Sequence, residues 1–238
     1  MITFNLAPEI TAFTTTRTHG RDPELLCPAL GVPVGNFYRP HQVHGTDIQV
    51  LHAIPEGGMA DVDAVIYDVR NACIGISTAD CIPVVCYDPV NHCAAAIHAG
   101  WRGTVKRIVE KAVRRMAEEF GTDPTLLRCA IGPGISLDSF EVGDEVYDAF
   151  REAGFDMPHM AKRYPASDSQ IVNSKPSNCK YKWHLDIKEC NRMQLLALGV
   201  ADANIIVSDI DTMTDQRFFS ARRDGAKTGR MLSGIVLR

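Results

Sequence analysis

Short stretches of alternating apolar and polar residues open this chain, and its middle holds two solid apolar runs followed by one long helical stripe. Ile2, Phe4 and Leu6, then Ile10 and Ala12, alternate with polar neighbours and predict strands that end in Thr14-Thr15-Thr16-Arg17. Residues 19–36 are rich in Gly and Pro and predict a loop with at most one helical turn. Gln42-Val43-His44-Gly45-Thr46-Asp47 then leads into an alternating strand, Ile48-Gln49-Val50-Leu51, and Gly57-Gly58 marks a turn before strands at 62–67 and 72–77. The two apolar runs, 82–87 and 93–97, predict a strand pair joined at Asp88-Pro89-Val90-Asn91.

From Arg102 to Phe120, apolar residues at Val105, Ile108, Val109, Ala112, Val113, Met116 and Phe120 describe one helix stopped by Gly121. A buried-type strand at 126–131 ends in Gly132-Pro133-Gly134, and Phe140–Gly143 leads into a helix to about Ala153. Residues 154–182 carry no period and predict a long, mobile loop. A helix over 184–198, a strand over 205–208, a Gly-rich turn at 224–229 and a last strand over 231–237 close the chain. No repeat, low-complexity tract or linker interrupts it, so one mixed α/β domain over residues 1–238 is expected.

Composition narrows the class. With 238 residues, 45% hydrophobic, 23% charged and a net charge of −4, the chain has the profile of a soluble globular protein with room for a large core. It has no basic excess to hold a nucleic acid backbone, and no apolar run of membrane-spanning length. The first residues lack the basic and long apolar regions of a signal peptide. Eight irregularly spaced cysteines, with no CxxC among them, suit a reduced cytoplasmic chain better than a disulfide framework.

The candidate chemistry gathers at the apolar pair. A turn centred between Pro89 and Val90 would set Cys81 directly opposite His98, with Cβ atoms about 4.5–5.5 Å apart, close enough to share a metal or a proton. Either histidine of the 41–44 stretch, His41 or His44, is a third donor. One Cys and two His leave the fourth position of a catalytic zinc open; copper fits less well, because no HxH pairs supply the several coppers of an oxidase. The plain alternative is a buried cysteine behaving as a small hydrophobe and a structural histidine. Arg17, Arg102, Arg222 and Arg223 are candidate anion readers, Arg102 because it opens a helix; the alternative pairs them with Asp80, Asp186 or Asp224. Neither GxGxxG nor GxxxxGK[ST] occurs.

Six motifs then fall in order: QVHGTD at 42–47, TADC-x-P at 78–83, HAGWRG at 98–103, IGPGI at 131–135, FEVGDEV at 140–146 and FFSARRD-x-x-x-TGRM at 218–231. Together they resemble the YfiH family, also called laccase-domain or polyphenol oxidase-like proteins and purine nucleoside phosphorylases. The resemblance implies two central mixed β-sheets flanked by helices, in α/β/β/α layers. It implies zinc held by His44, Cys81 and His98, which selects His44 over His41. It further implies phosphorolysis of adenosine, guanosine, inosine and 5′-methylthioadenosine, and deamination of adenosine. For the phosphate that chemistry needs, the candidates are Arg102, the Gly103 N–H, Arg17 and Arg222, with Asp80 orienting a ligand or stabilising charge.

Two departures from the family stand out. The stretch between the TTR and QVHG segments is shortened to residues 19–38, and Ile210-Asp211-Thr212 stands where the family often has Cys-Thr, an acidic change expected to alter substrate preference. The rival readings are a copper-dependent polyphenol oxidoreductase, a hydrolase with Cys81 as nucleophile, and an editing factor for cell-wall peptide precursors.

Overall fold

A computed structural model describes residues 1–165 and 181–238. Two sheets carry the architecture. The first has five strands in the order Ile2–Phe4, Ile10–Thr14, Met231–Leu237, Cys73–Thr78 and Phe37–Tyr38; the second has six, in the order Ile205–Val207, Arg128–Ile131, Ile82–Asp88, Cys93–Ala99, Ala64–Tyr67 and Ile48–Leu51. Both are mixed, mostly antiparallel with parallel pairs at their edges.

The period-2 pattern explains how they stack. Along the central hairpin of the six-stranded sheet, Val85, Tyr87, Ala94 and Ala96 face Ile74, Ile76 and Ile235 of the five-stranded sheet in one buried cluster. Val84, Cys86, Ala95 and Ile97 face the other way, against the helices Ile108–Phe120 and Ile187–Ala197. Every residue from Ile82 to Asp88 and from Cys93 to Ala99 is buried, which is why these runs show no polar alternation. The outer face of the five-stranded sheet is covered by the helix Pro23–Ala29 through Leu26, Cys27 and Leu30 against Phe13, Cys73 and Val236. The expected α/β/β/α layering therefore holds, with a small third sheet added from Glu141–Val142, Tyr181–Leu185 and Ala161–Pro165.

Several local expectations are corrected. The Gly- and Pro-rich segment holds a seven-residue helix: Asp22 accepts from Glu24 N at 3.0 Å and Pro23 occupies the first turn, where its missing N–H costs nothing. The single helix expected from Arg102 to Phe120 is two, Trp101–Val105 and Ile108–Phe120. Arg107 breaks it in the left-handed region at φ 61°, its guanidinium donating to Ala153 O at 2.9 Å and lying over the Phe155 ring. His184 belongs to a strand, not to the helix, which starts at Ile187. Of the long loop expected over 154–182, residues 157–160 form a helical turn and 161–165 and 181–182 lie in strands; 166–180 fall outside the described residues.

The hairpin register differs too. Asp88 pairs with Cys93 and Pro83 with His98, so Cys81 is not directly opposite His98. The buried Asp88 carboxylate folds into the turn, accepting from Val90 N and Asn91 N, and His92 closes the loop at φ 51°. Four residues are looped out where two were expected. The slip is of two residues, so it leaves Cys81 and His98 on the same face as diagonal neighbours.

Candidate metal centre

The face shared by Cys81 and His98 looks into the sandwich, and both residues lie where the hairpin opens at its end. His44 reaches the same corner from the turn after His41. One nitrogen from each of His44 and His98 and the Cys81 sulfur lie within 4.8 Å of one another, the only such group of three or more potential ligands among the described residues. The two rings stand edge to face, centroids 4.9 Å apart. The backbone is bent to achieve this: His44 has φ 58° and Asp80, just before Cys81, φ 85°, a region non-glycine residues rarely adopt and which clusters at functional sites.

Gly100 makes the room. A Cβ there would lie 3.2 Å from Cys81 Sγ, 3.4 Å from His44 Cδ2 and 3.6 Å from His98 Cε1. Three donors of the types that bind borderline metals thus surround a space left clear of carbon, and the residues fit a metal ion with a further position open.

Asp63 positions two of the three. Fully buried, it accepts from His98 Nδ1 at 2.7 Å and from the N–H groups of Val43, His44 and Gly45 at 3.1, 3.0 and 2.6 Å. One carboxylate thus shapes the His44 turn and orients the His98 ring, leaving His98 Nε2 free to ligate; a metal-binding histidine commonly has such a carboxylate behind it. Burial alone would raise the Asp63 pKa, but the His98 ring and the backbone donors hold it below the usual carboxylate value. Burial likewise works against ionising Cys81, yet the His98 and His44 rings pull its thiol down to about 6. Burial opposes protonation of His98, while Cys81 and Asp63 draw it up to about 9. The corner is built for a thiolate.

Asp63 escaped the sequence reading. Its one signal was an acidic residue inside the apolar run Val62–Tyr67. Gln42, in the same turn as His44, ties the corner to the other sheet, exchanging two hydrogen bonds with the Ser77 backbone at 2.7 and 2.8 Å. His41 is engaged elsewhere, with Asp61 at 2.8 Å.

The three donors open on a cavity of about 650 Å³. Asp80 does not share it. Its carboxylate accepts from Thr212 Oγ1, Ser220 Oγ and Arg222 N at 2.7, 3.0 and 2.7 Å, and so fastens the 212–222 segment. Arg17, Arg102, Gly103 and Arg222 do not line the cavity either. Arg17 donates to Phe218 O and pairs with Asp224, Arg222 donates both terminal nitrogens to Glu141 O, and Arg223 is held by Asp224 and the carbonyls of Thr212 and Met213. Arg102 is exposed and stacks on its neighbour Trp101, while Gly103 is buried in the short helix Trp101–Val105. Asp211, expected to bear on substrate choice, caps a loop by accepting from Ser136 and Ser139. The arginines that do line the cavity are Arg21, Arg39 and Arg230, of which only Arg230 falls in one of the six motifs and none was expected to read an anion.

A Bacteroides thetaiotaomicron protein named purine nucleoside phosphorylase is 48% identical over 177 residues, 74% of this chain; the match spans only 61% of that protein's own length. Adenosine deaminase RL5, from an unknown prokaryotic organism, is 36% identical over 215 residues, covering 87% of this chain and 77% of its own. The crystal structure of the Bacillus licheniformis hypothetical protein YfiH superposes with a TM-score of 0.80 at 25% identity, covering 96% of this chain and 93% of that one. The model of the family described as multi-copper polyphenol oxidoreductase laccase matches residues 17–238. The chain belongs to that family, the one to which YfiH-like proteins and the phosphorylase and deaminase relatives point.

Proposed function

We propose that this chain is a zinc-dependent purine nucleoside phosphorylase that also deaminates adenosine. One observation carries the reading: His44, Cys81 and His98 converge, oriented by Asp63, at a cavity large enough for a nucleoside, in a chain whose relatives bear those two names. A zinc ion bound by the three residues would supply Lewis acidity with one position open to water or substrate.

The chain's own residues supply the rest. Asp63 keeps the proton on His98 Nδ1 and fixes the ring, and the paired imidazoles hold Cys81 as thiolate. In phosphorolysis a phosphate oxygen bonds to C1′ of the ribose as the bond from C1′ to the purine nitrogen breaks, and the electron pair leaves with the base. In deamination water replaces the 6-amino group and ammonia departs. None of the seven described cysteines is in a disulfide, in keeping with a reducing cytoplasmic setting, and no described helix is long and apolar enough to cross a membrane.

The test is metal analysis combined with adenosine turnover, with and without phosphate, following adenine, inosine and ribose 1-phosphate. The expected result is zinc near one equivalent, with both zinc and turnover lost in His44→Ala, Cys81→Ala and His98→Ala. If those variants keep metal and turnover, the site is wrong. One Cys with two His also occurs in single-copper sites, so phenol oxidation that depends on added copper would establish the oxidoreductase instead.

A further inference from the structure

The wall of the cavity opposite in character to the metal corner is basic. Arg21, Arg39 and Arg230 line it, and among the described residues no Asp or Glu does, in a chain whose net charge is −4. Arg21 is exposed and Arg39 and Arg230 are half-buried; partial burial is the main influence lowering the pKa of Arg21 and of Arg39, at Arg21 the charges of Arg39 and Arg230 add to it, and no carboxylate among the described residues offsets either group. Among the described residues Arg230 donates only to the backbone carbonyls of Ala226, Thr228 and Gly229, which orient its guanidinium without neutralising it. Three like charges held near one another with no counter-charge cost stability, a cost proteins accept where a ligand offsets it.

An independent observation lies in the same cavity. Ser77 and Thr78 are 7% and 1% exposed, and their hydroxyl oxygens find no hydrogen-bond partner among the described residues. Buried hydroxyls are nearly always satisfied, so this wall is a polar site completed by something that enters it.

We propose that Arg21, Arg39 and Arg230 form a phosphoryl-dianion subsite, with Ser77 and Thr78 beside it, facing the metal corner across one cavity. Guanidinium forks match phosphoryl oxygens bidentately, and three positive charges suit a dianion. This rests on the phosphorolytic reading for the identity of the anion as inorganic phosphate; a 5′-phosphate on a nucleotide presents the same chemistry. The subsite displaces Arg17, Arg102, Gly103 and Arg222 as the place where phosphate is held, since none of those residues reaches the cavity.

The experiment uses the metal-loaded full chain and its Arg21→Gln/Arg39→Gln double variant. In phosphate-free buffer the variant melts at or above the wild-type temperature, because a repulsion is gone. Inorganic phosphate raises the wild-type melting temperature and leaves that of the variant unmoved. In turnover, the KM for phosphate rises about tenfold or more, the loss of a charged bidentate contact, while the KM for the nucleoside and the metal content hold.

A variant that melts well below wild type without phosphate would show the arginines to be structural and overturn the proposal. A phosphate KM that rises only in Arg102→Gln would do the same. Phosphate-dependent stabilisation of wild type without any phosphorolysis would sustain the subsite and sink the phosphorylase reading. Adenosine 5′-monophosphate supplies the second arm: if it stabilises wild type more than phosphate and adenosine together, and not the variant, the dianion is the one carried by the substrate.

Discussion

Two buried aspartates, Asp63 and Asp80, organise opposite sides of the cavity, and their difference shows why nearness along the chain is a poor guide to role. Asp80 adjoins Cys81 in sequence, yet its carboxylate points toward the C-terminal segment, where it gathers Thr212, Ser220 and Arg222. Asp63 lies far from every ligand in sequence, yet it touches the turn of one and the ring of another. Neighbouring residues at a strand end project to opposite faces, and the Asp80 carboxylate is taken up by Thr212, Ser220 and Arg222. Asp63 therefore governs the metal corner. Asp80 governs the wall, because the segment it fastens continues into Ala226, Thr228 and Arg230 of the cavity lining.

This division can be broken by substitution. Asp63→Asn is expected to have the largest effect. It replaces by an amide N–H₂ one of two carboxylate oxygens, each of which accepts from two of the four donors, so metal affinity falls about 10–100-fold and each of the two donors left without an acceptor costs about 1–3 kcal/mol; metal analysis and thermal melting check both. Asp80→Asn keeps the shape and tolerates the same backbone conformation, and should leave metal content intact while raising the KM for phosphate several-fold. If it strips the metal as fully as Asp63→Asn, the two sides are not separable.

The smallest effect belongs to Asp224, on the same C-terminal segment but partly open to water. Arg223 first, then Arg17, hold its carboxyl down to about 2. A depressed carboxylate contributes stability above its unfolded pKa of about 3.9 and loses it as pH falls toward its folded value. The stability gap between wild type and Asp224→Asn in urea should thus close between about pH 4 and pH 2, and never exceed about 1 kcal/mol. A gap as wide as that of Asp80→Asn would show that burial does not distinguish the two.

What was legible in the sequence is what local pattern encodes. The apolar runs at 82–87 and 93–97, the closing strand and the convergent donors His44, Cys81 and His98 within their motifs were readable because strand period and motif order are properties of adjacent residues. The hairpin register was not, because the Asp88 side chain, not the turn type, sets it. The break at Arg107 was hidden for a related reason: its partners, Ala153 and Phe155, come from a different part of the chain. Asp63, Arg21, Arg39 and Arg230 owe their placement to the meeting of two sheets and two termini, which no window of sequence contains.

The strand that carries His98, Cys93–Ala99, has small residues on the face toward the other sheet, Ala94 and Ala96. Those methyl groups set the thickness of the sandwich, and the metal corner lies at its edge. Enlarging Ala96 to Val would overfill a packed core, at about 1–3 kcal/mol, two residues from the ring that Asp63 holds. The spacing of the two sheets is therefore a mechanical tolerance of the metal centre, and drift in the core reaches the chemistry without touching a ligand.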